Sequence, residues 1–448
     1  MRCAKGLWAL ILAAMLFVPA VHAARPVYRV KRVIEISPVW AGHPVGFDLL
    51  TRGERQYAAF YDTERRMAVA ARRIGEDAFR LMRLPERIGW DSHNYIRMAV
   101  DDGGYLHLSG NMHCVPLKYF RTEKPHDIRT FERLDRMTGR EERRVTYPHF
   151  FRGPEEELLF TYRDGGSGNG NQIYNVYDVE TRTWARLLDE PLTDGRGRMN
   201  AYLHGPVKGP DGRFHLAWVW RDTPDCATNH DPSYARSGDL RHWETVRGEP
   251  VTLPMTVETP GLIVDPVPAG GGVINGNVRL GFDAEARPIV SYHKFDPDGK
   301  TQIYNTRFED GRWVVHRATD WDYRWAFSGG GSIDFDIRVG GVQAGPDGRL
   351  TQSYRHPKEG SGAWILDGTT LKPVGQAPPG PTVPSNVRGP ESDFPGMAVR
   401  WRWSRGDGGD PGIRYALRWE TLGRNRDRPR KGPLPEPTAL RLYEFHEP

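Results

Sequence analysis

The chain has 448 residues, of which 27% are charged and 38% hydrophobic, with 62 basic side chains against 57 acidic ones. Beyond the N-terminus no apolar run is long enough to cross a bilayer, which excludes a polytopic membrane protein, and the apolar content argues against wholesale disorder. With 50 Gly, 36 Pro, 14 Trp, 18 Tyr and 17 Phe, the composition suits many short strands joined by turns better than a helical bundle.

The first segment reads as an export signal. Arg2 and Lys5 precede an apolar stretch from Leu7 to Val18, and Val21-His22-Ala23 offers small residues at the cleavage positions. Residues 1–23 are expected to be removed, leaving residues 24–448 in a secreted or periplasmic protein. That cut takes away two basic residues and no acidic one. The remaining mild positive balance is compatible with an anionic partner. Lys and Arg form no stripe of the kind that nucleic acid requires, so no nucleic-acid partner is expected, and no membrane partner either. Outside the signal, Cys114 and Cys226 are left to pair, to stay buried as thiols or to bind a metal, and their spacing does not choose among these.

Along the rest of the chain a polar turn, often Asp-Gly, is followed again and again by a short alternating strand. Asp102-Gly103-Gly104-Tyr105-Leu106-His107-Leu108, Asp211-Gly212-Arg213-Phe214-His215-Leu216 and Asp347-Gly348-Arg349-Leu350-Thr351-Gln352 are clear copies. Gly53 to Tyr61, Glu156 to Tyr162 and Ala286 to Tyr292 are looser ones. Starts roughly 50–70 residues apart match the scale of a propeller blade with long loops. The expected fold is all-β, a single seven-bladed β-propeller spanning residues 24–448. The proline-rich stretch from Pro373 to Pro384 is the one linker candidate, or else a loop between the last blades.

In a propeller, loops at one end collect residues from distant blades, so the chemistry is to be sought in polar clusters beside strands. The densest lie between residues 90 and 231. They are Trp90-Asp91-Ser92-His93-Asn94, Gly110-Asn111-Met112-His113, Thr146-Tyr147-Pro148-His149-Phe150, Thr161-Tyr162-Arg163-Asp164-Gly165 through Asn171, and Trp218 through Asp231. A neutral His accepts a proton near neutral pH, and a Tyr phenol can give one to a departing alkoxide. An Arg offers a permanently charged fork to a carboxylate. His93, His113, Tyr147 and Arg163 therefore hold the parts for β-elimination on a uronic-acid polymer: neutralise the carboxylate, remove the acidified C5 proton and protonate the leaving 4-oxygen. Asn94 and Asn111 are expected to bind substrate. Cys226 and His230 supply two of the four ligands of a tetrahedral zinc site, with His204 or His215 as partners. The Gly165–Asn171 run lacks the Lys-Ser/Thr end of a phosphate cradle and reads as a tight loop.

These five segments resemble the signature segments of the ulvan lyase families, secreted polysaccharide lyases built on seven-bladed propellers and often described as BNR-repeat proteins. The similarity is strongest from about residue 57 to 330 and weak after about 375. It implies that His93 is the Brønsted base, Tyr147 the acid, Arg163 the neutraliser of the uronate and His113 its assistant, with Arg221 a further substrate ligand. The division of labour between His93 and Tyr147 stays open, because a Tyr can play both parts. The resemblance implies an anionic polysaccharide as partner, a monomer and no cofactor for catalysis, and it allows a structural zinc or calcium. Two rivals are a sialidase-like propeller hydrolase, of whose Asp-box only Asp310-Gly311-Arg312-Trp313 is present, and a propeller that binds glycans without cleaving them.

Overall fold

The computed structural model describes residues 25–448, so the expected export signal lies outside the described residues. Within them the regular structure is all strand apart from three single-turn 3₁₀ segments. No helix is long and apolar enough to cross a membrane. The Asp-Gly punctuation works as expected. Gly212 and Gly348 take φ values of 79° and 75°, a left-handed turn that glycine enters without steric penalty, just before the strands Phe214–Arg221 and Leu350–His356.

The strands form six hydrogen-bonded sheets among the described residues. Two are simple four-stranded sheets: Asp48–Arg52 with Arg55–Tyr61, Arg66–Arg73 and Arg80–Arg87, then Ile96–Val100 with Leu106–Gly110, Tyr119–Thr122 and Phe131–Leu134. The third has Val145–Arg152, Leu158–Gly166, Asn169–Asp178 and Thr183–Arg186 as its body, with His113–Val115 added on the edge of Val145–Arg152. The fourth begins with Asn200–Lys208 and Phe214–Arg221. The largest contains two antiparallel groups, one around Pro288–Phe295 and one around Leu350–His356, joined through the single parallel pair Phe282 and Gln343. The last sheet takes Met397–Trp403, Ile413–Leu422 and Thr438–His446 from the end of the chain and Arg29–Val39 from its beginning, with Ile34 opposite Leu442.

The first strands of successive sheets touch one another. Asp48–Arg52 meets both Ile96–Val100 and Met397–Trp403, and Ile96–Val100 meets Val145–Arg152. Alternating side chains on both faces of each sheet then pack against the next sheet. Trp218 and Trp220, 0% and 1% exposed, lie in one such layer with Leu159, Leu216 and Trp243. Burying one indole removes on the order of 200 Å² from water and contributes about 5 kcal/mol by area bookkeeping, an upper bound. Of the stretch from Pro373 to Pro384, Pro373–Gln376 is an outer strand, with Pro373 opposite Leu366, and residues 377–384 form part of the loop that leads to the last sheet. An edge position tolerates the missing N–H of Pro373.

Candidate active site

Sheet register brings the expected catalytic residues together. Thr146 is the Cα partner of His113 on one side and of Arg163 on the other, so these three stand in one row across three strands. Pro148 has no N–H to give to a ladder, and the pairing of its strand slips between Thr146 and His149. Tyr147, inside that bulge, takes a φ of 61°, a strained conformation for a large side chain, and so turns out of the sheet. His93 comes from the loop that precedes Ile96–Val100. There Asp91 accepts the His93 backbone N–H through Oδ1 at 2.8 Å and tightens the turn.

Asp91 does more than shape its loop. Its Oδ1 lies 2.6 Å from His93 Nδ1 and its Oδ2 2.5 Å from His113 Nδ1. The two imidazoles are stacked, with centroids 4.2 Å apart and planes 26° from parallel. Burial pushes the Asp91 carboxyl upward, but the hydrogen bonds from His113 and His93 prevail and hold it well below the ordinary carboxylate range. Asp91 is thus an anion at any working pH, and both Nδ1 positions are engaged with it. The nitrogen that each ring has left for a substrate is Nε2.

A second carboxylate stands behind. Asp427 Oδ2 is 3.6 Å from His93 Nδ1, and Asp427 also accepts from the backbone N–H and hydroxyl of Ser92 and from the Ser332 N–H at 3.0, 2.7 and 2.6 Å. Burial raises this group too, yet its contacts with His43 and Ser92 win and keep it well below the usual range. One carboxylate therefore ties together the loops around residues 92, 332 and 427.

His93, His113, Tyr147, Tyr202 and Arg221 line one cavity of about 410 Å³. Two larger cavities, of about 610 and 660 Å³, open around Arg52 and Asp102, and none of the four expected catalytic residues lies in either. Chemistry, not size, marks the smaller one as the site. Tyr147 is 5.7 Å from the His93 ring, centroid to centroid. Burial, reinforced by Tyr202, drives its phenol pKa up against the opposing pull of Arg163, so the hydroxyl keeps its proton across the physiological range.

Arg163 sits underneath. Its guanidinium carbon is 4.9 Å from the Tyr147 ring centre, the residue is 1% exposed, and it is absent from the cavity wall. Its N–H groups go to Gly165 O, Thr146 Oγ1, Cys114 Sγ and Tyr202 Oη. Arg221, in contrast, is part of the wall, and its guanidinium faces the Tyr202 ring at 5.5 Å.

Residues 55–321 match the family described as BNR repeat-containing family member. The chain belongs to the BNR repeat-containing family. Among curated relatives of this BNR-repeat protein, a long-isoform ulvan lyase of Pseudoalteromonas sp. (strain PLSV) is 31% identical over 121 residues, 25% of this chain and 12% of that protein. A short-isoform ulvan lyase of Alteromonas sp. (strain LOR) is 30% identical over 124 residues, 25% of this chain and 23% of the relative. The match thus spans less than a quarter of either relative. Among solved structures, the polysaccharide lyase Uly1 superposes with a TM-score of 0.60 at 15% identity, covering 93% of this chain and 99% of its own. An ulvan lyase bound to -[GlcA(1-4)Rha3S]- gives a TM-score of 0.56 at 14% identity, covering 93% of this chain and 96% of its own. At such identities the likeness is one of fold, and it is the propeller fold of these lyases.

Several expectations for the BNR-repeat protein need correction. Asn111 is not at the cavity: it is 5% exposed, and its amide donates to Glu86 Oε2 at 2.8 Å and to the Arg87 carbonyl. Asn94 likewise is off the wall, with its side-chain oxygen buried and unpartnered. Cys226 and His230 do not form half a zinc site. His230 holds Asp231 through Nδ1 at 2.9 Å and Asp222 through Nε2 at 3.0 Å, so neither nitrogen is free. Burial raises the Cys226 thiol, the opposite of what a thiolate ligand needs. His204 Nδ1 is taken by the Leu280 N–H, and His215 by Tyr234 and Asp211. Among the described residues, the group whose ligand atoms gather within 4.8 Å is Asp91, His93 and His113. Cys114 and Cys226 are both free thiols. Asp91, Tyr202 and Asp427 were missed. Only Asp91 left a local signal, two positions before His93 and well placed to orient it.

Proposed function

We propose that this protein is a polysaccharide lyase that cleaves a uronate-containing, sulfated polymer of the ulvan type by β-elimination, acting outside the cytoplasm. The observation that carries the proposal is the Asp91 clamp: one carboxylate holds two stacked imidazoles by Nδ1 on the wall of a cavity that also contains a protonated Tyr. The relatives named as ulvan lyases and the shared fold support the choice of polymer.

In this mechanism the uronate carboxylate lies against Arg221 and His113, which withdraw charge from it and acidify C5–H. His93 Nε2 takes that proton, and the resulting imidazolium is stabilised by Asp91 and by the second carboxylate, Asp427. Tyr147 hands its proton to the departing 4-oxygen. Arg163, only about 5 Å beneath the Tyr147 ring, favours the phenolate that is left behind. This is an indirect part, unlike direct contact with the uronate, because Arg163 is 1% exposed and is not part of the cavity wall. The C4–O bond breaks, a C4–C5 double bond forms, and water later returns the proton to Tyr147. No catalytic metal or organic cofactor is part of this scheme, and the protein is proposed to work as a monomer.

The test is product chemistry. Elimination leaves an unsaturated uronate at the new non-reducing end, read as rising ultraviolet absorbance while ulvan is digested. Cleavage of ulvan that yields only saturated ends would put the protein among the hydrolases.

A further inference from the structure

Next to the catalytic cavity lies another of about 370 Å³, and the two share Ser92, Tyr95 and Arg424. Five arginines line it, Arg97, Arg338, Arg400, Arg402 and Arg424, against a single acidic residue, Asp334. Resting on the lyase reading of the adjoining cavity, we propose that this arginine-lined cavity is a subsite for the sulfate ester of the neighbouring sugar in the polymer.

Apart from Arg402, these side chains have no ion-pair partner among the described residues. Arg402 is paired with Asp48 at 3.0 Å, and Asp48 is also engaged by Arg405. Arg97 donates to the Ile96 carbonyl and Arg424 to the Ile333 carbonyl, neither of them a counter-charge. Arg338 and Arg400 make no hydrogen bond or ion pair among the described residues, and the Nε atoms of Arg400 and Arg402 are buried without a partner. Burial lowers the pKa of Arg97, Arg338 and Arg400 and neighbouring guanidinium groups add to it, against an opposing pull from Asp48 on Arg97 and from Asp334 on Arg338 and Arg400. Unpaired, partly buried guanidinium groups are expensive to keep, and an incoming anion relieves that repulsion. A carboxylate has two oxygens and fits one fork. A sulfate ester has three terminal oxygens and accepts from several forks at once, which suits arginines placed around a wall. Trp401 and Trp419 complete the lining and give a sugar ring an apolar surface.

The experiment uses the full-length Tyr147→Phe protein, which holds substrate without turning it over. Its affinity is measured by calorimetry for a size-defined ulvan oligosaccharide and for the same oligosaccharide after chemical desulfation. The sulfated ligand is expected to bind about tenfold more tightly or better. Adding Arg338→Ala and Arg400→Ala should remove most of that preference and leave affinity for the desulfated ligand within about twofold. Equal affinity for the two ligands, or an equal loss for both in the added variant, overturns the subsite. Should the combined variant not fold, Arg338→Ala alone, at an exposed position, carries the same comparison. Sodium sulfate at fixed ionic strength provides a further arm. It should raise the Tm of the parent more than that of the arginine variant, and an equal rise would count against the site. Arginine-dependent sulfate preference in a protein that leaves every uronate polymer uncut would retire the lyase reading and keep the subsite. Lyase activity with no sulfate preference would do the reverse.

Discussion

The imidazoles of His93 and His113 lie face to face, with centroids 4.2 Å apart, though they come from a loop of one sheet and the edge strand of the next. Asp91 lies between their Nδ1 atoms and bridges the two rings. Asp91→Asn keeps the shape but presents one oxygen and one amide, so one ring must give up its orientation. Turnover should fall on the order of 10- to 100-fold, the usual effect of losing a group that orients a His, with an unchanged circular dichroism spectrum. Activity near that of the parent would show that the clamp is ornamental.

Tyr147→Phe removes the proposed acid and little else, since the ring can still stack above Arg163. Turnover should drop by roughly 10²–10⁴ while the melting temperature stays close to the parent's. Because the phenol pKa is raised by burial, its ionisation should not produce a fall in activity near pH 10. A pH–rate profile of kcat, with stability checked at each point, tests this directly.

The site was only partly legible in the chain. His113, Tyr147 and Arg163 could be found because neighbouring strands of one sheet carry them at ladder distance, and Pro148 announces the irregularity that turns Tyr147 outward. Asp427 and the arginines at 400, 402 and 424 could not be found. They lie in the part of the chain with weak resemblance, and closure of the ring brings Asp427 to His93 and the arginines to the neighbouring cavity, a relation that no local pattern encodes. The misread zinc pair shows another limit. Spacing placed Cys226 and His230 near each other, but it could not reveal that Asp222 and Asp231 already occupy both nitrogens of the imidazole.

His293 predicts acid sensitivity. It is 1% exposed, and burial brings its pKa from an ordinary 6.5 down to about 4 against a smaller opposing contact with the Gly272 backbone. The unfolded chain then binds a proton that the folded chain refuses. Its contribution to stability is full above about pH 6.5, declines as pH falls toward 4 and amounts to on the order of 3 kcal/mol at most. Thermal melts of the parent and of His293→Phe across this interval should diverge, with the variant the less pH-dependent.

Arg72 and Glu444 form a buried ion pair at 2.6 Å, with side chains 0% and 4% exposed, linking the sheet that begins at Asp48 to the last sheet. Replacing one partner leaves an uncompensated charge, so Arg72→Met should destabilise the protein by about 3–5 kcal/mol. The double variant Arg72→Met with Glu444→Leu should recover much of that loss in denaturant titrations.

Neither cysteine is paired, so dithiothreitol should leave the melting temperature unchanged. Cys226 should react with a thiol reagent far more slowly in the native protein than after denaturation, given its burial and raised pKa. A reductant-sensitive melt would point to a disulfide.

The pairing of Arg29–Val39 with Thr438–His446 sets a timetable for synthesis. A ribosome delivers the partner of that early strand roughly 400 residues later, so an outward-facing edge must wait through the synthesis of all that lies between. Asp427, behind His93, arrives just as late. A polypeptide stopped before these residues therefore has neither the closed last sheet nor the carboxylate behind His93.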